Sequence, residues 1–304
     1  MIKKCLWALT FGMLPLTAAE RFTVATFNVE NYFLTPFGTR KAKPEVSRAK
    51  VAEVILKIRP DVLALQEMGR PVALKELRER LARKGLKYSY SAWVQGPDPA
   101  IHLVVLSRFP IVKDHSKGRV DYLLNQRRLQ VSRGFAAVEI QVTDQYRFTL
   151  YNAHLKSKRP VPHEDQAAMR LEEARQLRSL VAARLKVNPE ENLLVLGDLN
   201  DTPNTDPIRE LIGRRGARLI DLRPVEQDGD VAPNPYNSRY APRRVAWTHF
   251  YHVKDEYSRL DYTLASRGLA RELDREGCRV ETVRDWGLAS DHRAVVVRFF
   301  AEDR

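Results

Sequence analysis

Short apolar runs, separated by segments with helical spacing, recur along most of the chain. They are rich in Val, Leu, Ile, Phe and Tyr, are bounded by turn residues, and read FTVATF, DVLALQ, HLVVLS, FAAVEIQV, RFTLYNAHL, NLLVLG, RLDYTLAS and AVVVRFF. Several of them are continuously apolar, which is typical of strands that are covered on both faces of a sheet. The pattern therefore predicts an α/β protein with deeply buried strands.

Apolar residues recur at helical spacing in three further segments, at residues 45–58, 71–84 and 164–186. The second segment begins with Pro71 and ends at Gly85, and the third opens on two acidic residues, which favour a helix N-terminus. The interval 223–244 is rich in Pro and Arg and is predicted to be a long loop. Because the sequence contains no repeat and no low-complexity linker, we expect residues 20–304 to form one domain.

The N-terminus has the parts of a cleavable export signal. Two lysines precede an apolar run at residues 5–16, and small residues follow at 17–19. The run is shorter than the roughly 20 residues that span a bilayer. Residues 1–19 are therefore predicted to be a signal peptide, and the protein is expected to be exported to a periplasm or secreted, without stable membrane insertion.

The charge of the chain favours an anionic partner. It contains 51 Lys and Arg against 38 Asp and Glu, a formal net charge of +13. Such a balance suits nucleic acid or an acidic lipid surface, although a basic soluble protein without such a partner is the alternative. One cysteine, Cys278, lies outside the predicted signal, so we expect no intramolecular disulfide and interpret Cys278 as a small buried residue.

Polar side chains stand at the ends of six of the predicted strands. They supply amides, carboxylates and imidazoles, at Asn28, Gln66, Glu67, Asn152, His154, Lys156, Asp198, Asn200, Asp261, Asp291 and His292. Asp and Asn are common in turns, but six such endings are too many to be solvated turns alone. Ligands tend to bind where strand ends converge, so we expect these residues to form a site.

The composition of this set indicates metal-assisted cleavage of a phosphate ester. Oxygen ligands from Asn28, Glu67 and Asp291 suit Mg²⁺ or Mn²⁺, whereas zinc is a poor match without a Cys cluster or a His pair at short helical spacing. Two histidines and the remaining carboxylates can move protons, and arginines can hold an anionic group. The sequence has no Gly-rich phosphate loop and no G-x-S-x-G motif.

Eight motifs resemble, in order, those of the endonuclease/exonuclease/phosphatase superfamily: TFNVEN, LQEM, LSRFPI, SRGF, NAHLKS, GDLNDTP, SRLDYTLAS and SDHRAVV. The resemblance extends over about residues 22–299. It implies a four-layer α/β sandwich, in which two mixed β-sheets pack face to face with helices outside. It also implies divalent-metal-dependent hydrolysis of phosphate esters.

The resemblance implies a metal site and a site for the attacking water. Glu67 would hold the divalent metal with the help of Asn28 and Asp291. Asp198 and Asn200 would orient the water and the phosphate, with a second metal as an open alternative.

The resemblance also implies roles around the phosphate. His292 would activate the water or bind the phosphate, with Asp261 fixing its ring. His154 would act on the leaving-group side as general acid or phosphate ligand, and Arg133 would neutralise phosphate charge. The carboxylate partner of His154 stays open, as does the question of which histidine gives and which takes the proton.

The substrate is left open between two classes of phosphate ester. Basic clusters, among them Lys156, Lys158 and Arg159 directly after His154, favour contacts to phosphates of DNA, with RNA as a further candidate, and little sequence preference. Aromatic residues interleaved with arginines, at Tyr236, Tyr240, Trp247 and Tyr251, would stack on bases or cover a sheet edge. A monomeric nuclease is the first hypothesis, and a phosphatase or phosphodiesterase for phospholipid or inositol-phosphate head groups is the second. A binding protein on a decayed catalytic scaffold is disfavoured because the polar set is intact.

Overall fold

The computed structural model describes residues 20–162, 164–227, 235–237 and 245–304. The predicted signal at 1–19, most of the predicted loop at 223–244, and Tyr240 within it lie outside these residues. None of the helices in the described ranges has the length and hydropathy that crossing a membrane would need.

Two six-stranded sheets contain most of the strands of the described residues. In order across the first sheet, the strands are β15 (Arg279–Val280), β16 (Val295–Phe300), β1 (Arg21–Tyr32), β2 (Val62–Met68), β4 (His102–Ser107) and β3 (Tyr90–Val94). In order across the second sheet, they are β11 (Ile220–Asp221), β14 (Asp261–Ala265), β10 (Leu193–Asp198), β9 (Arg147–His154), β8 (Phe135–Gln141) and β5 (Ile111–Asp114). Two hairpins stand apart, β6 (Asp121–Leu124) with β7 (Arg127–Gln130), and β12 (His249–Tyr251) with β13 (Glu256–Ser258). The helices of the described residues are α1 (Glu45–Ile58), α2 (Pro71–Arg83), α3 (Gln166–Val187), α4 (Asp206–Ile212) and α5 (Arg267–Arg271), with short 3₁₀ turns at Arg215–Ala217, Arg275–Gly277 and Trp286–Leu288.

Both sheets are mixed. In the first, β1 pairs in parallel with β2 and antiparallel with β16. In the second, β10 pairs in parallel with β9 and antiparallel with β14. Parallel strands therefore end, and antiparallel strands begin, at the same edge of each sheet.

The sheets pack face to face, and helices cover their outer faces. Alternate residues of β1 divide between the layers: Phe22 and Val24 join side chains of the second sheet, whereas Ala25 and Phe27 pack with α1. On the other side of the molecule, α3 and α4 cover the outer face of the second sheet. The predicted four-layer α/β sandwich is confirmed, and burial on both faces explains why the strand sequences are continuously apolar.

The three predicted helices are confirmed, with small shifts at their ends. α1 has the predicted bounds, and α2 ends one residue early, at Arg83. α3 begins at Gln166 because the Asp165 side chain accepts the N–H of Ala167 at 2.9 Å and so caps the helix.

One glycine permits the close approach of two site-bearing strands. Gly197, next to the end of β10, has φ +126°, and an added Cβ would lie 2.0 Å from the carbonyl oxygen of Ala153 on β9. A side chain at this position would both strain the backbone and separate the strands. The glycine of the GDLN motif therefore sets the spacing of the strands that deliver His154 and Asp198.

Candidate active site

The polar strand ends meet at one edge of the sandwich. Asp198 is the register partner of both His154 on β9 and Asp261 on β14, so three side chains of the second sheet start as neighbours. From the first sheet, the Nδ2 of Asn28 donates to Asp198 Oδ2 at 3.0 Å. The site thus lies across the junction of the two sheets.

Asp198 is the hub of the site. Its Oδ2 accepts hydrogen bonds from the side-chain amides of Asn28 at 3.0 Å and Asn200 at 3.2 Å. The same oxygen lies 3.3 Å from His154 Nε2 and 3.6 Å from His292 Nε2. Burial and the neighbouring Asp261 raise the pKa of Asp198 to about 6, although the charge of His292 opposes them. Asp198 is therefore ionised at neutral pH but can accept a proton within the physiological range.

Asp261 holds His292 in its charged form. The ring Nδ1 of His292 lies 2.8 Å from Asp261 Oδ2, and both residues are buried. Burial alone would lower the pKa of His292, but the negative charges of Asp261 and Asp198 raise it well above its usual value. At neutral pH this residue is an imidazolium that points its second nitrogen towards Asp198.

His154 has the opposite protonation state. Complete burial, together with the positive charges of Arg133 and His292, lowers its pKa well below the usual value. Its Nε2 faces Asp198 at 3.3 Å and Glu67 at 4.0 Å, whereas its Nδ1 has no hydrogen-bond partner among the described residues. Asp198 and Glu67 are thus the carboxylates that face His154, both on its Nε2 side, and the partner of Nδ1 stays open.

A bulge in the first sheet turns Glu67 towards the site. The β1–β2 register shifts between Asn28 and Tyr32, and Glu67 has φ 59°, in the left-handed region. Bulges and left-handed non-glycine residues are frequent where a strand must re-aim a functional side chain. The N–H of Asn31 holds Glu67 Oε2 at 2.9 Å, which leaves Oε1 facing Asn28 Nδ2 at 3.4 Å.

Glu30 and Lys43 also belong to the site, although the sequence did not single them out. The ammonium of Lys43, nearly buried, donates to the carbonyl oxygen of Glu30 at 2.9 Å and lies 3.5 Å from its carboxylate. Burial and the charges of Asp291 and Glu67 raise the pKa of Glu30, against the effect of Lys43. The charges of Glu30, Glu67 and Asp291 are thus close enough to interact, around one lysine.

Ser290 attaches Asp291 to the first sheet. Its hydroxyl donates to the carbonyl oxygen of Asn28 at 2.8 Å, while the N–H of His292 donates back to that hydroxyl at 3.0 Å. His249, from β12, lies beside Asp291, with Nε2 3.7 Å from Asp291 Oδ2. The two imidazoles, His249 and His292, outweigh the effect of burial and hold the pKa of Asp291 at about 2.

These donors fit a divalent cation. Glu67, Asp291 and Asn28 offer carboxylate and amide oxygens, which hard divalent ions prefer. Asp261 Oδ1 is buried and has no hydrogen-bond partner among the described residues. The site therefore contains more oxygen acceptors than the hydrogen-bond donors around them satisfy. The carboxylates at this edge of the sandwich can thus bind a cation, and together with the imidazolium of His292 they can move a proton.

Arg133 and Lys156 lie beside this cluster on ordered loops. Arg133 donates to the carbonyl oxygen of Leu155 at 3.2 Å, and its charge acts on His154. Glu173, buried on α3, accepts the N–H of Lys156 at 2.6 Å and the N–H and hydroxyl of Ser132 at 2.8 and 2.7 Å. Glu173 therefore positions both cations, a role that its place within a helical pattern did not reveal.

The other two predicted phosphate contacts lie further out. Lys158 and Arg159 are exposed, and the ammonium of Lys158 lies 3.7 Å from Asp201. Lys156 donates to the carbonyl oxygens of Ser157 and Arg159 at 3.3 and 3.2 Å. All three cations follow His154 along the chain, but only Lys156 is buried beside the cluster.

Two polar residues near the strand ends brace the sheets. Asn152 accepts from Gln66 Nε2 at 2.7 Å and donates to the carbonyl oxygens of Leu65 and Val104, both at 3.0 Å. These contacts join the sheets behind the site and account for the whole Asn152 side chain. His102, buried on β4, is packed against the ring of Trp93, which indicates a structural role.

Comparison with known proteins agrees with this geometry. A profile of the Endonuclease/Exonuclease/phosphatase family matches residues 25–292. Sphingomyelinase C from Streptomyces griseocarneus is 19% identical, with 92% of this chain and 99% of that chain covered and a TM-score of 0.62. The human nocturnin catalytic domain with a bound sulfate anion is 17% identical, with 92% and 94% covered and a TM-score of 0.62. A mutant of beta toxin from Staphylococcus aureus with bound magnesium ions is 15% identical, with 93% and 100% covered and a TM-score of 0.58. No curated protein matches the chain.

Proposed function

The chain belongs to the endonuclease/exonuclease/phosphatase family, and from that premise we propose that it is an exported nuclease that hydrolyses DNA with little sequence preference. Membership makes it a hydrolase of phosphate esters and a user of divalent metal ions. Beyond family membership, the proposal specifies DNA as the substrate, with RNA as a second polymer to test, and Mg²⁺ or Mn²⁺ as the ion.

The contacts of Asp198 support separate roles for Asp198, His292 and His154 around the phosphate. Asp198, with its pKa near 6, accepts the proton of the attacking water, which Asn200 helps to orient. His292, kept charged by Asp261, binds a phosphoryl oxygen and stabilises the charge that develops there. His154 stays neutral and contributes hydrogen bonding on the leaving-group side.

The divalent ion would be held by Glu67, Asn28 and Asp291. When bound, it supplies stabilisation of negative charge on the phosphate, worth several kcal/mol in enzymes of this kind. Arg133 adds a positive charge close enough to act on His154. Removal of the ion with EDTA is therefore expected to abolish turnover and to leave the fold intact.

A groove beside Lys156 and Arg133 is the observation that favours nucleic acid as the substrate. It has a volume of about 900 Å³, and its lining includes Asp98, Arg128, Ser132 and Lys156. Arg133 lies 3.8 Å from Asp98, so the groove begins next to the catalytic cluster. The charges along its lining balance, with Arg128 and Lys156 against Asp98 and Asp121. The groove therefore supplies room for a polymer, and the attraction for its phosphates comes from the formal net charge of +13 on the chain.

The test uses the full chain with supercoiled plasmid. We expect nicking with Mg²⁺ or Mn²⁺, none with EDTA, and a loss of about 10²-fold or more in Asp198→Asn and His292→Ala. Asp206→Asn is the matched control, because that carboxylate is exposed on α4 with 78% of its side chain accessible. Full, metal-dependent nicking by Asp198→Asn would refute the assignment.

Contacts with DNA phosphates can be tested separately through the dependence of binding affinity on salt concentration. If Arg128 and Lys158 bind phosphates, the Ala variant of each reduces the slope of log affinity against log salt by about 0.9. Substitution of Arg209, an exposed cation on α4, serves as the control. An unchanged slope in both the Arg128 and the Lys158 variant would show that the polymer takes another path.

Export and a monomeric state complete the proposal. We expect the mature protein from the periplasm or the medium to begin near Glu20, as N-terminal sequencing would show. Light scattering is expected to give the mass of one chain. A retained N-terminus would refute cleavage of the signal.

A lipid phosphodiester is the second candidate, because an apolar surface borders the site. The β12–β13 hairpin and the turn beside it expose Tyr251, Val253, Tyr257 and Leu288, with 41%, 65%, 56% and 46% accessible. Such a patch suits contact with a membrane surface. Head-group release from phospholipid vesicles, together with an intact plasmid under the same conditions, would favour this candidate over the nuclease.

A further inference from the structure

The hairpin that carries His249 is fixed to the segment that carries Asp291. The N–H of Phe250 donates to the carbonyl oxygen of Asp291 at 3.0 Å, and the N–H of Arg293 donates to that of Thr248 at 2.7 Å. His249 and His292 are partners in an isolated antiparallel bridge. Backbone pairing, rather than a flexible side chain, therefore determines where His249 lies.

The imidazole of His249 lies within the cation site. Its Nε2 is 3.7 Å from Asp291 Oδ2, and its ring centroid is 4.6 Å from that of His292. Ligand atoms of His249, Asp291 and His292 lie within 4.8 Å of one another. A separation of 3.7 Å is too long for a hydrogen bond, whereas two donors with metal bonds of about 2.0–2.2 Å stand roughly 3–4 Å apart on one ion.

The opposite face of the hairpin explains why this position is rigid. Phe250 stacks on Tyr257 with ring centroids 4.5 Å apart, and Trp247 lies against Tyr257 and Trp286 at 4.9 and 5.3 Å. Alternate side chains of a strand point to opposite faces, so this aromatic cluster anchors one face while His249 occupies the other. Of the aromatic residues that the sequence offered for stacking on bases, Trp247 is thus accounted for by packing.

We propose that His249 is a nitrogen ligand of the divalent ion that Asp291 binds, and that the site consequently prefers Mn²⁺ to Mg²⁺. The inference rests on the proposed function in one respect, the assignment of Asp291 to the metal. Mg²⁺ favours an all-oxygen environment and keeps its waters, whereas imidazole nitrogen raises the affinity for later divalent ions. His292 faces Asp261 through Nδ1 at 2.8 Å and Asp198 through Nε2 at 3.6 Å. This leaves His249 as the imidazole available to an ion on Asp291.

The experiment measures binding without substrate. Mn²⁺ is titrated into the full chain and followed by electron paramagnetic resonance, with Mg²⁺ measured by competition. We expect the Kd for Mn²⁺ to be at least about 10-fold below the Kd for Mg²⁺. In His249→Ala, the Kd for Mn²⁺ should rise by about 10-fold, whereas the Kd for Mg²⁺ should change by less than about 3-fold. Spin-echo modulation from ¹⁴N is expected in the parent protein and reduced in the variant.

His252→Ala is the matched control, since His252 is exposed in the turn of the same hairpin. It should leave both Kd values and the ¹⁴N signal unchanged. An unchanged ¹⁴N signal in His249→Ala would overturn the proposal, as would absence of Mn²⁺ binding. An equal weakening of Mn²⁺ and Mg²⁺ would also overturn it, because that result means His249 merely positions Asp291.

The binding result is independent of the nuclease assignment. A protein that shows nitrogen coordination through His249 but does not cleave plasmid refutes the substrate and leaves the ligand assignment standing. A protein that nicks plasmid but shows no nitrogen ligand refutes the present inference alone. Circular dichroism of His249→Ala establishes that the variant is folded in either case.

Discussion

The charge of Asp261 is expected to set the protonation state of His292, and Asp261→Asn tests this directly. The substitution keeps an oxygen that can accept from His292 Nδ1 at the observed 2.8 Å, but it removes the negative charge. Two unit charges about 4 Å apart interact by about 4 kcal/mol at an effective dielectric constant of roughly 20. Without that interaction the pKa of His292 should fall, because the largest charge that raises it is gone.

Loss of the imidazolium should reduce turnover without preventing folding. We expect kcat for bis(p-nitrophenyl) phosphate, a generic phosphodiester, to fall by about 10²- to 10⁴-fold at neutral pH. The asparagine would place its amide where Asp261 Oδ1 now has no partner, so the free energy of unfolding should fall by about 1–3 kcal/mol. Urea denaturation separates this loss from the catalytic one, and ¹⁵N NMR of the ring follows the pKa of His292.

The control is Asp221→Asn, on the neighbouring strand β11. It removes an ion pair with Arg259 at 2.6 Å outside the cluster, and it should leave kcat unchanged. If Asp261→Asn keeps more than about a third of kcat, or if the pKa of His292 does not move, then Asp261 does not govern the histidine and the reasoning fails.

Three further predictions concern stability and pH. Gly197→Ala should lower the free energy of unfolding by at least about 3 kcal/mol, because its Cβ would meet the Ala153 carbonyl, whereas Gly216→Ala, with open space around it, should change little in the same urea titration. Burial raises the pKa of Glu272 to about 7 from 4.5, so its proton stabilises the fold below about pH 4.5 and that contribution is lost as pH rises through 7. Glu272→Gln should therefore be more stable than the parent at pH 8.5, by up to about 3 kcal/mol, and no such gain would contradict the assigned burial. Because the pKa of Asp198 is about 6, kcat/KM should fall as pH decreases below 6, and a flat profile down to pH 5 would exclude Asp198 as the base.

Much of the site could be predicted because its residues end strands. An apolar run followed by a carboxylate or an amide marks a strand that reaches an edge, and the shared edge of parallel strands brings such ends together. Asn28, His154 and Asp198 illustrate this, since each follows an apolar run and the structure joins them through one carboxylate oxygen.

Other parts depend on contacts that no local pattern encodes. His249 stands in a loop-like stretch, and only the pairing of its strand with residues 291–293 brings it to Asp291. Glu30, which the sequence did not single out, has left-handed backbone at the bulge, a conformation that non-glycine residues rarely adopt and that a glutamate does not indicate. The sequence has no His pair at short helical spacing, which disfavours zinc, yet strand pairing places the rings of His249 and His292 4.6 Å apart.

The position of β16 has a consequence for the timing of catalysis during synthesis. β16 completes the first sheet by pairing with β1, and Asp291 and His292 come just before it near the end of the chain. A nascent polypeptide therefore has no imidazole opposite Asp198 until residues 291–300 have left the ribosome and β16 has paired with β1. A fragment that stops before Asp291 keeps Asn28, His154 and Asp198 but is expected to lack the cluster.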